Sequence, residues 1–401
     1  MIYSCALINN NRMKDVWKVS LMFVSVALAF GACKKADLPC EVIDVLQTPS
    51  LHIDADLVRL ADSMETWLGS VQLSNGLLET SYNSNVVSLY DNALAALVFT
   101  ETEEYERARL LFTFFNNRLQ TEMLSGNGGF FQFRNASGQP QGNRWLGDNA
   151  WLLIALNNYA HSTGDMQFQP MQMALQQWII NQQDTDGGLW GGTDISGAFL
   201  PKVTEAMIDA FNAVPGYLSF HENLLGYLEA DRWDAPEQLL VSWPGSNYYY
   251  ALDNFSWGYC TFEGLPMGVL DAADRFKTVQ FHALSADSIG GYCFDEDRDA
   301  VWAEGSAQMA VAFIKAGRIS EANAVLHELQ KMATAQVQFS GAVGLPYASN
   351  VGTHYGGGAL WSGADEQPCT AANTWFIMAC HQFDPMQLNY TKSIPADVRF
   401  W

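Results

Sequence analysis

WLGDNAWLLIALNNYAHSTGDMQFQPMQMALQQWIIN, residues 145–181, decides the fold. Residues 149–159 are apolar on nearly every side, so a helix there must be buried all round. After the turn Ser162-Thr163-Gly164, residues 166–181 place apolar side chains on one face only, the mark of a helix with one side in water. The same pair recurs along the chain. Wholly apolar helices are expected over 92–99, 149–159, 204–214, 255–270, 305–314 and 371–380. Amphipathic ones are expected over 56–68, 103–119, 166–181, 217–228, 272–284 and 320–333. The buried helices start near 91, 148, 205, 254, 304 and 371, and the first three spacings are 57, 57 and about 49. Self-similarity at that period marks a closed repeat. The reading is therefore all-α: one (α/α)6 toroid, with an inner ring of buried helices inside an outer ring.

Loop lengths locate the working face. Inner-to-outer connections are tight, as at Thr100-Glu101-Thr102, Pro215-Gly216 and Ala316-Gly317. Outer-to-inner connections are long, near 120–147, 183–202, 231–253, 286–303 and 335–370, and rich in glycine and aromatics. Long loops in a compact domain are usually functional, and all of these surround the N-termini of the inner helices.

Acids sit where the inner helices begin: Asp91 in Tyr90-Asp91-Asn92-Ala93, Asp148 in Trp145-Leu146-Gly147-Asp148-Asn149-Ala150-Trp151, Glu205 with Asp209 one turn later, and Glu304 in Trp302-Ala303-Glu304-Gly305. On a ring these carboxylates converge on one cavity. Tyr90, Trp145, Trp151, Trp190, Trp257, Trp302, Trp361 and Trp375 accompany them as candidate substrate contacts, as do Asp209 and His354. Each has a second reading. Asp is a favoured N-cap and an acid in the first turn complements the helix dipole, a reading that suits Glu205 least. The tryptophans could be core, and His354 a surface histidine.

Carboxylates beside aromatic platforms suit sugar chemistry. Glycoside hydrolysis needs one carboxylic acid to protonate the leaving oxygen and one carboxylate as base or nucleophile. Asp148 and Glu205 are the preferred pair, with Asp91 and Glu304 as rivals, because they open successive inner helices behind long loops. The helix pairs, together with Tyr90-Asp91-Asn92-Ala93, Asp148-Asn149-Ala150-Trp151, Glu304-Gly305-Ser306-Ala307-Gln308 and Ala371-Ala372-Asn373-Thr374-Trp375, resemble the six-hairpin glycosidase superfamily over most of residues 50–385. That resemblance implies the toroid and a glycosidase activity. One member family, the endo-α-1,6-mannanases, opens this inner helix with Asp-Asp-Asn-Ala-Trp; here Gly147 replaces the first aspartate, and only Asp148 carries over. Unsaturated glucuronyl hydrolases use aspartates on two successive inner helices, which Asp91 and Asp148 match, together with cations for the uronate, for which Arg144 and Lys202 are the rim candidates. Sugar 2-epimerases of this scaffold use inner-face histidines, whereas His161 and His381 lie at the other helix ends.

Composition narrows the rest. The 401 residues carry 43 acidic against 21 basic side chains, a net charge of −22, with 49% hydrophobic and 16% charged residues. That is a globular chain, without the basic clusters nucleic acid requires. No Cys/His metal spacing and no glycine-rich nucleotide loop occurs, so neither metal nor organic cofactor is expected. Lys14 and Lys18 precede the apolar run Val19 to Phe30, and Gly31-Ala32-Cys33 follows, which reads as a secretory signal. Its run is too short for a transmembrane helix of ~20 residues. Cys33 after small residues resembles a bacterial lipobox, with Phe30 where Leu is usual. The expected organisation is a signal peptide over 1–33 (with Met13 as an alternative start), a tether over 34–50 and one domain over 51–401. The expectation is a lipid-anchored envelope glycoside hydrolase, monomeric, touching the membrane through its anchor alone and acting on an oligo- or polysaccharide. The competing readings are a non-catalytic glycan-binding lipoprotein and an unsaturated-uronide hydrolase or polysaccharide lyase.

Overall fold

The structure is a computed structural model that describes residues 52–351, 354–355, 358–387 and 392–401. The signal segment, Met13, Cys33 and the tether over 34–50 lie outside the described residues. In chain order the helices are α1 (Ala55–Val71), α2 (Leu89–Glu101), α3 (Tyr105–Asn116), α4 (Leu146–Thr163), α5 (Gln169–Ile180), α6 (Thr204–Ala213), α7 (Ser219–Asp231), α8 (Leu252–Thr261), α9 (Gly268–Ala272), α10 (Ala303–Lys315), α11 (Ile319–Gln330) and α12 (Thr370–Cys380). Each even-numbered helix packs on the next, and α12 packs back on α2, closing the inner ring. The odd-numbered helices lie outside, with α1 against α12. The burial pattern follows the sequence: every residue of α12 is buried, whereas α3 buries only Ala108, Leu111, Phe112, Phe114 and Phe115. Among the described residues no helix is long and apolar enough to cross a membrane.

Two expected elements change. Over 272–284 a short 3-10 turn, Ala273–Phe276, leads instead into a strand, Lys277–Phe281, that pairs antiparallel with Ser288–Tyr292. The Lys-Thr-Val-Gln-Phe segment alternates polar and apolar and contains two β-branched residues, which favours a pleated strand. Val279 and Phe281 end 69% and 71% exposed, so no helical face is buried there. The inner helix expected over 255–270 ends at Thr261 instead. Pro266 lies inside the expected span and cannot donate a helical hydrogen bond.

Short strands stitch neighbouring rim loops together. Val87–Ser88 pairs with Phe133–Arg134, and Arg144–Trp145 with Gly192–Thr193. Gly192 has φ +100°, and a Cβ there would meet the Arg144 carbonyl oxygen at 1.9 Å, so this crossing requires glycine.

A repeated clamp fixes the loops to the inner helices. Asn92 accepts from the Leu78 N–H at 2.9 Å and donates to the Leu78 carbonyl at 2.9 Å. Asn149 does the same to Phe130 at 2.8 and 3.0 Å, and Asn373 to Leu345 at 3.1 and 3.1 Å. Ser306 takes this role on Tyr292 in α10, and Met207 Sδ accepts from the Leu189 N–H in α6. In α8 the fourth residue, which carries the clamp in the other inner helices, is Phe255; Asn254 lies one place earlier, and neither polar atom of its side chain has a partner.

Candidate active site

The inner-helix N-termini enclose a cavity of about 370 Å³. Asp91 from α2, Asp148 from α4, Glu205 and Asp209 from α6, Asp253 from α8 and Glu304 from α10 all line it. These acids are not caps. The N-cap residues of α4, α6, α8 and α10 are Trp145, Val203, Ala251 and Trp302, none making a side-chain cap bond. In α2 the cap is Ser88, which accepts from the Asp91 N–H. The carboxylates instead occupy the first turn and point into the ring.

Burial dominates their chemistry, because a desolvated carboxylate is disfavoured. It pushes Asp91 up to about 6, and Asp148 and Glu205 up to about 7. Burial likewise raises Glu304 to about 8 and lifts Asp209 and Asp253 well above the usual carboxylate range. Mutual repulsion adds to this around the whole circle: Asp91 acts on Asp148 and on Glu304, Asp148 and Glu205 on Asp209, and Asp253 feels Glu205 and Glu304. Six acids in one cavity therefore share protons near neutral pH.

Their partners differ. Glu304 accepts from Tyr90 Oη at 2.6 Å and from Gln308 at 3.3 Å, while Trp375 Nε1 donates to Tyr90 Oη at 2.9 Å. The Tyr90 backbone and Gln132 favour the charged form of Asp148. Neither oxygen of Glu205 has a hydrogen-bond partner, and one oxygen each of Asp91, Asp209 and Asp253 is likewise unpaired. Asp209 fills the space that Gly147 leaves: a Cβ on Gly147 would meet Asp209 Oδ2 at 2.9 Å.

Aromatic side chains make the floor and rim. Trp151 and Trp257 line the cavity, 5.5 Å apart edge to face, and Tyr90 sits 5.5 Å from Trp151. Trp145 and Trp361 line the mouth. Three tryptophans of the sequence reading are not lining residues. Trp190 stacks on Phe199 with Lys202 over its ring. Trp302 packs on Phe294 and Tyr347, and Trp375 lies behind Trp151 and Trp257. The backbone of His354 pairs with Ala359 in a tight hairpin, and its side chain lies outside what is described. The lining also includes Asp253, Trp243 and Tyr248, which sequence reasoning did not single out. Asp253 had a visible signal: Asp253-Asn254 repeats the Asp-Asn of 91–92 and 148–149.

The rim cations face away. Arg144 donates to the carbonyls of Glu122, Gly128 and Gly129, and Lys202 pairs with Asp184 and Asp186 at 2.7 and 2.6 Å. No Lys, Arg or His lines the cavity among the described residues.

No family model and no curated protein matches the sequence. Solved structures do match. A wild-type glycosidase superposes with TM-score 0.56 at 12% identity, covering 83% of this chain and 99% of that one. The chain carries the (α/α)6 toroid fold. A D-mannose isomerase matches with TM-score 0.57 at 11% identity over 84% of this chain and 98% of that one. A cellobiose 2-epimerase from Spirochaeta thermophila DSM 6192 matches with TM-score 0.55 at 14% identity over 82% and 97%. At these identities the six-hairpin likeness is one of fold, and the toroid places its acids independently of it.

Proposed function

We propose that this chain is a carbohydrate-active enzyme, a glycoside hydrolase acting on an oligosaccharide by acid/base catalysis between Glu205 and Asp148. The observation that carries the reading is two acids, each raised by burial to about 7, in one aromatic-floored cavity. Burial raises Glu205 to about 7 and no side chain bonds its oxygens, so it can carry a proton near neutral pH and protonate the leaving oxygen. Asp148, supported as a carboxylate by the Tyr90 backbone and Gln132, acts as base on a water attacking the anomeric carbon from the other face, with inversion. Trp151 and Trp257 offer faces on which a pyranose ring can stack. The structural neighbours are titled as glycosidases and as sugar isomerases or epimerases. Among the described residues no histidine lines the cavity. His161 is exposed at the far end of α4, and His381 pairs with Glu65 at 2.9 Å. The carboxylates support hydrolysis.

The test is a glycan panel with product detection, run on the wild-type chain, Asp148→Asn and Glu205→Gln. Both changes are near-isosteric, so helical content should hold while turnover falls by at least ~10². Wild-type rates in both variants would overturn the assignment, and binding without cleavage of any glycan would favour the non-catalytic reading. The proposal includes an anchor at Cys33, as the lipidated first residue of the mature chain; an unmodified internal Cys33 by mass spectrometry would remove it.

A further inference from the structure

A buried acceptor without a donor is costly, and natural cavities leave few of them without reason. Here they gather on adjoining helices. Asp209 in α6 and Asp253 in α8 are 3% and 5% exposed, both line the cavity, and each has an Oδ1 with no partner. Of the charges acting on Asp209, Asp253 is the largest. Gly147 gives way to Asp209, so one of these acids is packed directly against α4. The nearby cations do not answer them: Arg144 and Lys202 are bonded outside the cavity, and Arg232 is held by Tyr227 Oη and the Lys202 carbonyl.

Such a wall repels a uronate. A neutral hexose offers hydroxyl donors but no charge to offset the pair's repulsion when it is ionised. An ammonium group brings three donors and a positive charge, which suits two unpaired carboxylate oxygens lining one cavity. We propose, building on the glycoside-hydrolase reading above, that the substrate class is a glycan bearing a free amino group, with its ammonium held between Asp209 and Asp253. Glu205 and Asp148 remain available for the chemistry. Because an opposite charge favours the ionised carboxyl, binding of the amine displaces protons from this pair to solvent.

The experiment is isothermal titration of the intact mature chain at pH 7, in two buffers of different ionisation enthalpy. The probes are glucosamine, galactosamine and mannosamine, each with its N-acetyl form and parent hexose. At least one amine should bind about tenfold or more tighter than its N-acetyl form, with net proton release that the neutral sugars lack. Asp209→Asn and Asp253→Asn should each bring that preference towards unity. If no amine outbinds its neutral counterparts, or if binding releases no protons, the inference is overturned. The two readings fail separately. Cleavage of a neutral glycan without amine preference removes this inference alone, whereas amine-selective binding without cleavage of any oligosaccharide removes the hydrolase reading alone.

Discussion

The cavity wall and the loop collar behind it are oppositely built. In the collar, Glu122 is 6% exposed and forms an ion pair with Arg134, itself 1% exposed, while accepting from the Phe131 N–H. Arg144 is spent on three carbonyls, Lys202 on two aspartates, and Asn92, Asn149 and Asn373 each on one loop residue. In the wall, no side chain bonds either oxygen of Glu205, and Asp91, Asp209 and Asp253 each have an unpaired oxygen. Satisfied polar groups hold a structure in one arrangement, whereas unsatisfied ones hold a place for something else. The collar fixes where the wall stands, and the wall is where a ligand is accommodated.

The largest effect should come from breaking the collar's ion pair. Arg134→Met leaves Glu122 buried without its ion-pair partner, and removing one partner of a buried pair costs about 3–5 kcal/mol. Urea unfolding would read this as a lower midpoint with an unchanged slope. A loss under ~1 kcal/mol would mean that Glu122 finds water or another donor, and the contrast between collar and wall would blur.

The wall should announce itself through pH. A carboxyl whose folded pKa is raised binds its proton more tightly when folded. Its penalty is absent below the unfolded value and grows as pH rises to the folded one. For Asp91 that window runs from the ordinary 3.8 to about 6, and for Asp148 and Glu205 it extends to about 7. Stability should therefore fall as pH rises from about 4 to 7, opposite to a chain whose acids are salt-bridged. Each pKa unit corresponds to about 1.4 kcal/mol, so an effect of about 3–4 kcal/mol per acid is expected. Asp91→Asn should flatten the lower part of the slope. A stability curve that rises over this range would show the wall acids to be charged and paired.

How far the sequence carried this picture depends on which residues one asks about. The inner ring was legible because helices such as α4 and α12 are apolar on all sides, and no other packing accommodates that. Asp91, Asp148, Glu205, Asp209 and Glu304 could be set on one face because each begins, or lies one turn into, such a helix. Asp253 escaped because α8 is short and its apolar run begins only at Phe255, although the Asp-Asn pair of 253–254 repeats that of 91–92 and 148–149. The segment over 272–284 misled because a strand with one apolar residue in two mimics a helical stripe over so short a length. Trp190 and Trp302 could not be sorted from Trp151 and Trp257, since composition says that a tryptophan is buried but not which surface buries it.

The smallest expected effect is the sharpest probe of the clamp. Asn149 and Asn254 each follow an aspartate and both are buried, but Asn149 is the fourth residue of α4 and Asn254 the third of α8. Asn149→Ala leaves the N–H and carbonyl of Phe130 without a partner, and each buried unsatisfied group costs about 1–3 kcal/mol. A total near 2–3 kcal/mol is expected. Asn254→Ala removes a side chain whose amide bonds to nothing, so no hydrogen bond is lost and the cost of desolvating an unpaired amide disappears. Against this stands only a small cavity, so the net change should lie within about 0.5 kcal/mol of zero. The comparison needs only the two single variants and one unfolding assay. If Asn254→Ala costs as much as Asn149→Ala, then Asn254 fastens a loop from one place earlier in its helix than the asparagines of α2, α4 and α12, and the loop carrying Trp243 and Tyr248 is held like the others. If it costs nothing, that loop is the one rim segment not tied to its inner helix by this device. Trp243 and Tyr248, both lining the cavity, would then be the aromatics freest to adjust to a bound sugar.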